Sequence, residues 1–128
     1  MATVTHLTTP NEDYLERICE LLDEKGYARV TDIAEKLTVS PASVTMMLKK
    51  LESSGHILRE RYRGFTLTAK GRAIGIRIRK RHTILSQFLH LLHLPDRVIE
   101  HDIEGLEHFL SDQTLAELEK LIAKLKHK

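Results

Sequence analysis

Two groups of residues in this 128-residue sequence carry chemistry in their types and spacing. The first is a set of carboxylates and imidazoles. Asp13 and Glu16 are three residues apart and share one face of a helix. Glu104, Glu107 and His108 stand at i, i+3 and i+4, which aims two carboxylates and an imidazole towards one point, and His82 lies between these sets in the chain. Oxygen donors joined by two imidazole nitrogens suit manganese or iron(II) better than a thiolate-seeking metal, although copper and zinc head the affinity order in vitro. Each group also has an ordinary use. Asp13 and Glu16 satisfy the preference for acids early in a helix, and Glu104 with His108 fits a surface pair at i, i+4. His6, His90, His93, His101 and His127 are further donors, so the donor set stays open at this point.

The second group is the run from Ser40 to Lys50, which separates into an apolar face of Val44, Met47 and Leu48 and an open face that starts small and polar. Ser40, Pro41, Ala42, Ser43, Thr45 and Met46 allow the start of a helix to enter a major groove, with hydroxyls for base edges and alkyl groups for thymine methyls. Lys49 and Lys50 lie farther along, at the level of phosphates, and Arg61 and Arg63 extend the cationic surface beyond the helix.

The elements that must position these groups follow from periodicity. A first helix over Asn11 to Lys25, with Thr9-Pro10 as cap and first-turn proline, carries Leu15, Ile18, Cys19 and Leu22 on one stripe and ends at Gly26. Val30, Ile33, Ala34 and Leu37 predict a short second helix capped by Thr31. Ser40-Pro41 then starts a third, closed by Gly55, and two helices joined by about three residues make a helix-turn-helix. Residues 57–68 read as a hairpin wing with Gly64 in its turn. A long helix from Ala69 to about Leu92, one opened by Pro95, and one capped by Ser111 complete the chain. Gly105 inside the second of these costs about 1 kcal/mol relative to alanine, for which close helix packing near the metal is the expected reason. The fold class is therefore mainly α: a winged helix-turn-helix with a small β-hairpin wing over residues 1–70, followed by an α-helical domain over 71–128, with dimerisation expected because each recognition helix of this type reaches one half-site.

Charge sorts along the chain in the same way. Residues 25–81 carry fourteen basic and four acidic side chains, whereas residues 1–24 carry one basic and six acidic. A cationic middle segment flanked by acidic ones fits a polyanion-binding module beside a region that uses carboxylates. With Cys19 as the single cysteine, neither an internal disulfide nor a four-cysteine zinc site can form, and a reducing cytoplasm is expected. No apolar run reaches 18 residues and no export leader is visible, so no membrane partner is expected. There is no H-E-x-x-H motif, nucleophile elbow or glycine-rich phosphate loop, and the chain is not expected to be an enzyme.

The helix bearing Asp13 and Glu16, the run Ser40-Pro41-Ala42-Ser43-Val44-Thr45, the Arg81-His82 step and the run Glu104-Gly105-Leu106-Glu107-His108 occur in an order that resembles the diphtheria toxin repressor family, in its manganese transport regulator branch. The likeness extends over nearly the whole chain. It implies a metal-activated homodimeric repressor whose divalent ion binds where the DNA-binding and dimerisation domains meet, with Asp13, Glu16, His82, Glu104, Glu107 and His108 as ligands. Iron-responsive members place sulfur where this chain has Asp13 and Glu104, so the resemblance implies Mn2+, two ions per chain, with Fe2+, Zn2+ or Cd2+ as substitutes. The implied partners are double-stranded operator DNA and a second copy of the chain, with no small organic cofactor. The competing expectation is a winged-helix regulator that responds to iron(II) or to an organic ligand.

Overall fold

The computed structural model describes residues 9–126, which leaves His6 and His127 outside the described residues. Six helices and one two-stranded sheet follow in the order α1 Thr9–Lys25, α2 Val30–Leu37, α3 Pro41–Ser53, β1 Ile57–Glu60, β2 Gly64–Leu67, α4 Ala69–Leu91, α5 Asp96–Phe109 and α6 Asp112–Lys126. The chain divides into two compact units, Met1–Ile76 and Arg77–Lys128, and the division falls inside α4, six residues beyond the expected end of the first domain at residue 70. No helix of the described residues is long and apolar enough to cross a membrane.

In the first unit, Leu15 and Ile18 of α1, Ile33 of α2, Val44, Leu48 and Leu51 of α3 and Ile57 of β1 are fully buried in one apolar cluster, with Phe65 of β2 beside them. Removing these side chains from water is the main force that holds α1, α2, α3 and the hairpin together. The turn between α2 and α3 is Thr38, Val39 and Ser40, with Thr38 in the left-handed region at φ 57°. Ser40 caps α3: its Oγ accepts from the Ser43 N–H at 3.1 Å, and Pro41 fills the first helical position, where no N–H is needed. At the other end Gly55, at φ 80°, closes the helix, with its N–H donating to Glu52 O and the His56 N–H donating to Leu51 O. That pair of bonds is a Schellman closure.

Two local expectations are corrected here. The residue that caps α2 is Arg29, in extended conformation, and not Thr31, because the Asp32 carboxylate reaches back to accept from the Arg29 N–H at 3.1 Å and so starts the helix at Val30. Gly64 is the first residue of β2 and not part of the turn, which is made by Arg61, Tyr62 and Arg63. The Phe65 N–H donates to Ala28 O at 2.9 Å and the Ala28 N–H to Arg63 O at 3.0 Å, which lays the α1–α2 connection along the hairpin. At Gly64 a Cβ would stand 2.5 Å from Ala28 O, and φ is 75°, so both space and backbone demand glycine.

The second unit has its own cluster, in which Leu85 and Leu89 of α4, Ile99 and Ile103 of α5, and Leu115 and Ile122 of α6 are buried. Pro95 caps α5, and the Ser111 Oγ accepts from the Thr114 N–H at 3.1 Å to cap α6. Gly105 corrects a third expectation, since among the described residues a Cβ there would meet nothing within 4 Å beyond its own helix backbone. It lies with His101, Leu106 and Phe109 around an open hollow on α5.

Candidate metal centre and nucleic-acid interface

In the second unit three of the expected ligands converge. α4 carries His82, and one turn of α5 carries both Glu107 and His108. The Glu107 carboxylate is 2% exposed, with His82 Nδ1 2.9 Å from Oε2 and His108 Nε2 3.4 Å from Oε1. An ionised carboxylate taken out of water requires compensating positive charge or hydrogen bonds. An imidazole nitrogen lies against each carboxylate oxygen, and these are the same atoms that would bind a cation. An O and two N donors fit a divalent ion of the middle transition series. Glu104, one turn earlier on α5, is exposed.

In the first unit, α1 holds Asp13 half-buried and Glu16 buried to 1% exposure. Spacing put Glu16 on one helix face with Asp13, and it is almost as deeply buried as Leu15. Glu12, which the spacing argument passed over, is also buried. A buried acid must be met by positive charge or hydrogen bonds, and the Arg17 guanidinium lies 3.7 Å from Glu16 Oε1.

The α3 surface has the predicted division. Val44, Leu48 and Leu51 are buried, while Ala42, Ser43, Thr45, Lys49 and Lys50 are exposed and Met46 is 66% exposed. The hydroxyls are locally engaged: Ser40 Oγ donates to Ser43 Oγ at 2.9 Å, and Thr45 Oγ1 donates to Pro41 O at 3.0 Å. Each keeps an acceptor lone pair for an amino group on a base edge. On the wing, Arg63 turns towards the first unit's own backbone, donating to Gly26 O at 3.0 Å and to Glu60 Oε2 at 3.1 Å. The tip is therefore Arg61 and Tyr62, with the guanidinium 5.5 Å from the ring centre. Tyr62 is 81% exposed at φ 74°, and its carbonyl accepts from the Arg29 guanidinium at 3.1 Å.

His56 joins α3 to the wing. Its ring is buried, and the Ser54 hydroxyl, which donates to Leu51 O, lies 2.6 Å from Nδ1, while Nε2 has no hydrogen-bond partner among the described residues. Burial first, and the Lys70 ammonium second, hold its pKa below the ordinary 6.5.

Comparison with known proteins agrees with this division. A family model described as iron dependent repressor, N-terminal DNA binding domain, matches residues 6–65. A second, described as iron dependent repressor, metal binding and dimerisation domain, matches residues 68–128. The chain belongs to the iron dependent repressor family. It is 47% identical over 117 residues to the HTH-type transcriptional regulator MntR of Bacillus subtilis (strain 168), covering 91% of this chain and 82% of that one. To the regulator of the same name from Geobacillus thermodenitrificans (strain NG80-2) it is 52% identical over 106 residues, 82% of this chain and 75% of that one. In three dimensions it superposes on the structure of the manganese regulator SloR with a TM-score of 0.80 at 32% identity, over 91% of this chain. It spans 55% of the length of that solved chain.

Membership in this repressor family, a family of transcriptional regulators and not of enzymes, leaves several residues that spacing did not single out. Tyr62 was masked by the two arginines beside it, although Arg-Tyr-Arg-Gly at a hairpin turn is a visible signal. Arg81 occupies a core step of α4, three residues after Ile78 and four before Leu85, and a cation on an apolar stripe could have been read as a buried charge.

Proposed function

We propose that the chain is a manganese-dependent DNA-binding regulator, a cytoplasmic homodimeric repressor of manganese-uptake genes. The observation that carries the reading is the buried Glu107 carboxylate flanked by His82 and His108 in a chain whose other unit presents an open recognition helix. The ligands are Asp13 and Glu16 from α1, His82 from α4, and Glu104, Glu107 and His108 from α5, holding two Mn2+ per chain, with Fe2+, Zn2+ or Cd2+ able to substitute. The DNA contacts are Ser40, Pro41, Ala42, Ser43, Thr45 and Met46 at base edges and Lys49, Lys50 and Arg61 at phosphates, with Arg63 reaching a phosphate only by leaving Gly26 O and Glu60. Residues 1–70 form the DNA-binding domain and 71–128 the metal-binding and dimerisation domain.

Several carboxylates drawn to one place repel one another, and bound cations remove that repulsion. The metal supplies charge neutralisation when bound. The chain's own groups do the remainder: α1 and α5 bring the carboxylates, α4 orients an imidazole, and α3 presents its N-terminal face to the groove. Two recognition helices of a dimer then read half-sites about 34 Å apart, one DNA turn.

The test is a manganese titration of the metal-free protein, with free Mn2+ followed by electron paramagnetic resonance. Uptake of two ions per chain, lost in Glu107→Ala, is the expected result. No uptake at micromolar manganese, or operator affinity unmoved by a chelator, would transfer sensing to iron(II) or to an organic ligand.

A further inference from the structure

Arg81 is the most deeply buried cation of the described residues, at 3% exposure. A guanidinium does not lose its proton in a protein, so its charge must be met where it lies. It donates through Nε to the Glu107 carbonyl, through one terminal nitrogen to the Leu110 carbonyl, and through the other to Asp112 Oδ1 at 2.8 Å. The two carbonyls belong to the last turn and cap of α5, where backbone acceptors lack partners within the helix and the helix dipole is negative. Asp112 is 71% exposed, so its ion pair is screened by solvent and contributes little of the grip.

The next residue on α4 is His82, whose Nδ1 lies 2.9 Å from the Glu107 carboxylate. Successive residues of one helix thus hold a single residue of another at both ends, Arg81 at its main-chain oxygen and His82 at its side-chain oxygen. With Cα placed from one side and the carboxylate from the other, Glu107 has little freedom to turn. His108 follows on the same backbone, so its imidazole inherits the placement.

We propose that Arg81 is a positioning residue for the metal centre, setting the affinity for a divalent cation by anchoring the α5 backbone that carries Glu107 and His108. This rests on the reading of those residues as ligands.

The prediction has a sign that electrostatics alone does not share. A positive charge near a cation site weakens binding by repulsion, so on charge grounds Arg81→Met would tighten Mn2+. Positioning requires the reverse, a loss of about 10- to 100-fold, the range found when residues that orient metal ligands are removed. Arg81→Lys keeps the charge but cannot span three acceptors, and it falls between the parent and Arg81→Met. Asp112→Asn removes the exposed partner's charge and leaves the carbonyl anchors, so its affinity stays within about twofold of the parent.

The experiment is a titration with Mn2+ alone, on the full chain, of the parent and the three variants, each checked for folding by circular dichroism at the titration temperature. The order parent and Asp112→Asn, then Arg81→Lys, then Arg81→Met supports the assignment. Unchanged or tighter binding in the Arg81 variants overturns it while leaving the metal reading intact. A loss in Asp112→Asn as large as that in Arg81→Lys assigns the effect to the ion pair and overturns the carbonyl anchor. If Arg81→Met does not fold, Arg81→Lys decides, and failure of both to fold makes Arg81 a folding residue only. A parent that takes up no Mn2+ removes the metal reading and this inference with it.

Discussion

The two units expose apolar side chains in different company. In the first, Met46 and Tyr62 stand out on α3 and on the wing tip, interleaved with Lys49, Lys50 and Arg61. In the second, Leu106 and Phe109 are exposed on α5, and Phe109 reaches 78% with no basic residue on the adjoining turn other than histidine. Alkyl groups among cations match a polyanion with methyl-bearing bases, whereas apolar groups without cations match another protein surface. The first unit closes its core by itself. The second belongs to the stretch that matches the family's metal binding and dimerisation domain, and it leaves Leu106 and Phe109 exposed.

The strongest way to break that contrast is to place a charge on the exposed apolar face of the second unit. Phe109→Asp is expected to weaken self-association by more than about 100-fold, roughly 3 kcal/mol, the scale of a central interface residue. Sedimentation velocity would show a monomer where the parent is a dimer, and persistence of the dimer would mean that the copies meet elsewhere. Gly64→Ala acts on the other unit. With φ at 75° and Ala28 O in the way, it is expected to cost about 2 to 3 kcal/mol of the first unit's stability. Denaturant unfolding checks it, and the Mn2+ stoichiometry of the folded protein should not change.

A smaller effect comes from His56. Its folded pKa is lowered, so the folded state holds the ring neutral while the unfolded chain takes up a proton below about pH 6.5. The associated stability is present above that pH, declines as pH falls through it, and is fully lost only below the depressed folded value. His56→Gln should flatten the dependence of unfolding free energy on pH below about 6.5, and an unchanged slope would assign the acid sensitivity to other groups. Smallest is Gly105→Ala. Among the described residues it meets nothing beyond its own helix backbone and should gain up to about 1 kcal/mol of helix stability in a monomer. A weakened dimer in that variant would place the partner's surface against this hollow.

The helices were legible because their apolar residues repeat at three and four and their ends carry Gly26, Ser40-Pro41, Gly55 and Ser111. The cap of α2 was not, because Asp32 could serve either as a first-turn acid after Thr31 or as the residue that reaches back to Arg29, and only the backbone path decides between them. Gly64 was misplaced for a related reason. Its need for a positive φ is local and readable, but the close passage of Ala28 is a contact between residues far apart in sequence. At the candidate site, spacing brought out Glu107 and His108, since three and four residues on a helix make neighbours. For Arg81 it offered a buried charge on the stripe of α4 but not its partners, which are carbonyls that every residue possesses.

Cys19 has no exposed surface, and α4 crosses it at Gly75, where even a methyl group would come within 3.1 Å of the cysteine Cβ. A thiol reacts as thiolate and needs solvent to form one. The side chain is therefore a clock built into the first unit: a thiol reagent can mark it only when the packing around Cys19 opens, so the rate of labelling reads how often that part of the core opens in the native protein.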